Sequence, residues 1–117
     1  MRLVFSGLVA ACLASAGAAA EDGPFDRDTT GELATICASA TATDSHFCYG
    51  FMIGAGQLYT EMLRAELIQP LACPDPAPTI AEMRTSFIDW VAANPAAGET
   101  RAVDGLLQAA AEIWPCN

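Results

Sequence analysis

"HFCYGFMIGAG", residues 46–56, lies in a stretch whose flanks read as helix, yet it carries three glycines. Each costs roughly 1 kcal/mol against alanine in a helix interior. Phe51, Ala55, Leu58, Tyr59 and Met62 recur at i, i+4, i+7, i+8 and i+11, the period of one helical stripe. The spacing therefore predicts a long helix over residues 46–68. Gly50 and Gly54 stand about one turn apart on one side of it and make a flat groove that another backbone can approach closely. The expected occupant is a neighbouring helix of the same domain, with a second copy of the chain as the alternative.

On the C-terminal side, "QPLACPDPAP" (69–78) carries four prolines and cannot continue a helix. Thr79 and Glu82 have capping-box spacing and open a helix with Ile80, Met83, Phe87, Trp90 and Val91 on one side, stopped at Asn94-Pro95. A last helix over residues 99–114 buries Val103, Leu106, Leu107, Ala110, Ile113 and Trp114. On the N-terminal side, "ASATATDS" (38–45) is a small polar loop in which Asp44 or Ser45 can cap the long helix. Before it, Thr29 and Glu32 form another capping box, opening a short helix with Leu33, Ile36 and Cys37 on one face. No segment shows the sustained alternation of a strand. The expected fold is all-α: a small four-helix domain over residues 31–117, behind a polar lead-in at 21–30.

Residues 1–20 hold one basic residue, Arg2, an apolar run and the small-residue close Ala18-Ala19-Ala20. This is the pattern of a secretory signal peptide cleaved near Ala20. A competing reading makes Cys12 a lipidated anchor, but so short a leader before the cysteine is unusual. No stretch is long and apolar enough to span a membrane. Cleavage leaves 97 of 117 residues, one domain. A chain of that size buries only about 60–65% of its unfolded surface, so covalent staples matter.

Four of the five cysteines remain: Cys37, Cys48, Cys73 and Cys116. An even count in a small exported chain implies two disulfides and an oxidising compartment, the periplasm or beyond. A metal site would need C-x-x-C pairs or nearby histidines, and neither is present. The long helix rises roughly 30 Å, which disfavours Cys48–Cys73. Short connections make successive helices antiparallel and bring Cys116 back beside Cys73, leaving Cys37 for Cys48. The arrangement 37–73 with 48–116 stays open as the alternative.

After loss of Arg2, four arginines and no lysine face 14 acids, a net charge of −10. That balance disfavours nucleic acid and anionic membrane surfaces as partners, and it suits solubility or a basic protein partner. Catalytic equipment is sparse. The one histidine, His46, follows Ser45 with no nucleophile elbow, and adjacent helical residues point about 100° apart. His46 reads as a surface residue at a helix start. Cysteines held in disulfides supply no thiolate. Acids such as Glu61 (beside Arg64) and Asp89 spread over polar helix faces, and Trp90 and Trp114 fall on apolar stripes. No enzyme activity, cofactor or metal is expected.

Three cysteine contexts, read together, add a resemblance: "CYGFMIG" (48–54), "CPDP" (73–76) and "IWPC" (113–116). The set resembles the Rap/Tai family of type VI secretion immunity proteins, across nearly all of the chain from Leu33 to Cys116. The resemblance implies an all-helical periplasmic protein, often dimeric, that occludes a toxic peptidoglycan amidase stoichiometrically. It assigns structural roles to Cys48, Gly50, Gly54, Cys73 and Cys116 and leaves the partner-binding residues unknown. The connector departs from the family in having Leu71-Ala72 where an aromatic usually precedes the cysteine. The alternatives are an acid-stress chaperone of the HdeA kind and a housekeeping protein of the same fold without a toxin partner.

Overall fold

The first and third helices begin at their capping boxes. In the computed structural model, which describes residues 28–117, Glu32 N donates to Thr29 Oγ1, and Thr29 N donates to the Glu32 carboxylate at 2.7 Å, opening α1 (Thr30–Ala38). Thr79 and Glu82 repeat the arrangement at the start of α3 (Ile80–Ala93). Each box satisfies two amide donors that a helix start leaves orphaned. The expected signal peptide, Cys12 and the first part of the lead-in lie outside the described residues.

The long helix α2 spans Ala42–Arg64 and differs from expectation at both ends. Its cap is Thr41, whose hydroxyl accepts from Asp44 N at 3.3 Å. Asp44 lies one turn in, where a carboxylate faces the positive end of the helix dipole. Hydroxyls of Ser39 and Thr41 donate to that carboxylate and hold its pKa below the ordinary 3.8. At the other end Glu66 N donates to Leu63 O and Leu67 N to Met62 O, both at 3.0 Å, with Glu66 at φ 56°. This is a Schellman stop with glutamate in the left-handed position that glycine usually fills. No glycine marks it, so the periodicity runs on to Ile68 where the helix does not.

α3 ends where Asn94-Pro95 was expected to stop it, but a 3-10 helix, Pro95–Glu99, takes up the next turn. The last helix, α4, therefore runs Ala102–Ile113, three residues later than the pattern suggested. Val103, expected inside, is exposed.

Short α1 is the hub, packing against α2, α3, α4 and the 3-10 helix. Leu33, Ala34 and Cys37 are buried there, with Cys48 and Met52 of α2, Phe87 and Trp90 of α3, and Ala102, Leu106 and Ala109 of α4. Thr29 and Thr30, assigned to the lead-in by the sequence, belong to this body. Thr30 is fully buried; its amide donates to Thr100 O at 2.8 Å and its hydroxyl donates to Arg101 O at 3.0 Å. Ala102 N donates to Asp28 O at 3.0 Å, so the segment before α1 is laced to the start of α4. Among the described residues the isolated bridge Thr29–Arg101 is the one pairing of extended backbone.

Both disulfides pair as favoured: Cys37–Cys48 with Cα atoms 5.1 Å apart, and Cys73–Cys116 at 4.9 Å. The first is buried and closes the α1–α2 turn. Arg84 of α3 fastens the same turn, donating from Nε to Cys37 O and from Nη2 to Ser39 O at 3.2 Å, with its guanidinium 5.5 Å from the centre of the Tyr49 ring. The second disulfide is exposed and ties the C-terminus to the proline-rich connector, where Cys73 N donates to Trp114 O at 2.8 Å.

Candidate protein-binding surface

Of the 23 residues of α2, only Cys48 and Met52 are buried. Ala55, Tyr59 and Met62 continue their face and are half-buried. Next to it runs a second stripe, Phe47, Gly50, Phe51, Gly54 and Leu58, at i, i+3, i+4, i+7 and i+11, one continuous side of a helix. Phe47 is 45% exposed and Leu58 63%. The Phe47 and Phe51 rings stack with centroids 6.4 Å apart. The sequence sets Leu58 in one stripe with Ala55, Tyr59 and Met62, and a single helix cannot reveal how wide a strip its neighbours cover.

Gly50 and Gly54 lie in this stripe, and intradomain packing does not account for them. A methyl at either, or at Gly56, would meet nothing within 4 Å. Within the chain, glycine is needed for close packing elsewhere. A methyl at Gly105 of α4 would overlap the side chain of Thr30, and one at Gly31 would lie 3.2 Å from Gly98 O. The glycines of α2 instead leave a flattened strip between exposed apolar side chains.

The remaining surface is acidic: eleven carboxylates against three arginines among the described residues. Two of those arginines lie in i,i+3 pairs on exposed helix surface, Arg64 with Glu61 and Arg101 with Asp104. Pairs so exposed contribute little to stability. Asp28, Glu32 and Glu99 rim a shallow groove beside Gly31 and Gly98.

None of the residues considered for chemistry is assembled into a reactive centre. His46 is exposed at the start of α2 and Ser45 is half-buried beside it. Trp90 is core, its Nε1 donating to Glu112 at 2.7 Å, and Asp89 is exposed on the same helix. Trp114 is half-buried at the end of α4. All four cysteines of the described residues are in disulfides. Among those residues no group of three or more His, Cys, Asp or Glu is placed to hold a metal, and no helix is long and apolar enough to cross a membrane. The described surface thus combines an exposed apolar strip with an acidic surround.

No curated protein and no solved structure matches the chain. The family model for Rap1a immunity proteins does match, over residues 29–116. It begins at the cap of α1 and ends at the last cysteine, so it spans the whole helical body, and the chain belongs to the Rap1a immunity protein family.

Proposed function

We propose that this protein is an exported immunity protein that neutralises a secreted toxin by stoichiometric binding, without turnover of its own. The family match over residues 29–116 carries the reading. The toxin is a basic peptidoglycan-degrading amidase, complementary to the acidic surface, and the exposed α2 stripe supplies the apolar centre of the interface. Desolvated aromatic and aliphatic anchors within a polar rim are the usual source of affinity at such contacts. The two disulfides support an oxidising compartment, reached through a signal peptide removed near Ala20. A homodimer built on the strip around Gly50 and Gly54 would use the same stripe, so dimer and toxin complex exclude each other there.

The test is retention of periplasmic proteins by the oxidised protein, followed by co-expression with the partner in the periplasm. One stoichiometric peptidoglycan hydrolase, whose toxicity is suppressed by the protein and restored by Leu58→Asp, is the expected result. A partner held equally by the wild type and Leu58→Asp would remove the α2 stripe from the interface. Many weak partners appearing only after acid treatment would replace this reading with the chaperone.

A further inference from the structure

A cavity of about 310 Å³ lies between α2, α3 and α4 under the connector residues 71–78. Met52, Met83, Phe87, Leu106, Ile113 and Trp114 are among the large side chains of its wall. Pro74 and Pro78 in the roof have no N–H to offer. Of its two side-chain hydroxyls, Thr60 donates to Gly56 O at 2.9 Å, and Tyr59 accepts from Leu71 N at 2.7 Å, which leaves the Tyr59 O–H as one donor at the wall. Among the described residues no buried side-chain nitrogen or oxygen lacks a partner. Water needs two to four polar partners and finds few here, and a sugar or nucleotide would lose its hydrogen bonds on entry.

The cavity adjoins a shallow groove of mixed character that shares Met52, Gly56, Thr60, Pro78 and Met83 and adds Ile53 and Ile80 beside the polar Gln57, Glu61 and Arg64. An occupant is therefore apolar in its body and polar at one end. An enclosed apolar cavity of about 150 Å³ accommodates benzene, with six carbons, so twice that volume suits roughly ten to twelve. Two methionines in the wall adapt to a flexible chain. At the rim Glu61 and Arg64 neutralise each other, while the surrounding excess of carboxylates repels anions. The head of the occupant thus carries no negative charge.

We infer that this cavity is a binding site for the tail of a single-chain aliphatic amphiphile with about ten to twelve carbons and a head without negative charge. The site is separate from the α2 stripe and does not rest on the toxin-binding reading. It uses the face of α2 turned toward α3 and α4, and the exposed Cys73–Cys116 bridge anchors its roof.

Calorimetry and tryptophan fluorescence of the oxidised protein titrated with monodecanoylglycerol, below its aggregation concentration, test the inference. Expected are 1:1 binding with a change in Trp114 emission, at least ten-fold weaker binding of monohexanoylglycerol, and at least ten-fold weaker binding of decanoate at pH 8. Gly56→Leu fills the mouth from a position with open space around it, and it replaces a helical glycine by a strong helix former, so it folds. It should weaken binding at least ten-fold. Ala110→Phe, from the opposite wall, gives a second occlusion. Absence of monodecanoylglycerol binding, binding unchanged in both variants, or decanoate binding as tightly as the glyceride would each overturn it.

Discussion

Gly105 is the space that Thr30 occupies: a methyl on the α4 glycine would overlap the hydroxyl, methyl and Cβ of the α1 threonine. Thr30 cannot retreat, because it is fully buried and bonded to Thr100 and Arg101. Gly105→Ala would gain up to about 1 kcal/mol of helix propensity, but overpacking a fixed neighbour costs about 1–3 kcal/mol and a disrupted buried hydrogen bond a further 1–3. The expected outcome is a net loss of about 1–5 kcal/mol, read from urea unfolding midpoints.

The glycines of α2 should respond with the opposite sign. Gly50→Ala and Gly54→Ala place a methyl in open space, so each should stabilise the isolated chain by about 0.5–1 kcal/mol. If two copies pack along this strip, the same substitutions weaken the dimer. Thermal unfolding alongside sedimentation, at several concentrations, separates the two effects.

Glu66 holds a left-handed conformation at φ 56° to end α2. That conformation costs a non-glycine residue about 1–2 kcal/mol, partly offset by the freedom a glycine has when unfolded. Glu66→Gly should therefore raise stability by about 0.5–1 kcal/mol while leaving helix content unchanged by circular dichroism.

Acid should loosen the helix starts in a defined direction. Glu82 is held below its ordinary 4.5 by the Thr79 amide and hydroxyl, and Asp44 below 3.8 by the hydroxyls of Ser39 and Thr41. A carboxylate with a depressed folded pKa contributes stability that is fully present above its unfolded pKa and is lost as pH falls through the lower folded value. Both contributions should be intact above about pH 4.5 and disappear in the acid range below it. Thr79→Ala should cost about 1 kcal/mol at neutral pH and raise the pKa of Glu82 toward its ordinary value, measured by carboxyl NMR titration.

The two disulfides should open in order. A thiolate must reach a sulfur to exchange with it, and Cys73 and Cys116 are exposed while Cys37 and Cys48 are buried. Mild reductant followed by alkylation should label Cys73 and Cys116 first, in a chain that remains folded. Labelling of Cys37 and Cys48 should wait for global unfolding, and a simultaneous appearance of all four would contradict the order.

The sequence by itself determined the all-α class, the two capping boxes at Thr29 and Thr79, the stop at Asn94-Pro95 and the favoured cysteine pairing. These depend on local chemistry and chain reach: an oxygen three residues from an amide, a ring without an N–H, a helix too long to let Cys48 meet Cys73. The family was legible as well, since its three cysteine motifs are short and keep their order. What only the tertiary structure decided is which surfaces meet. The Glu66 stop carries no residue signal, because left-handed glutamate is tolerated where the surrounding fold holds it. Gly50 and Gly54 look like packing residues in sequence, yet it is Gly105 that the packing needs, because close approach depends on where α1 sits. The exposure of Leu58 and the cavity under the connector have the same origin. A helical stripe records that a face is apolar, and only the arrangement of the other helices settles how much of it is covered.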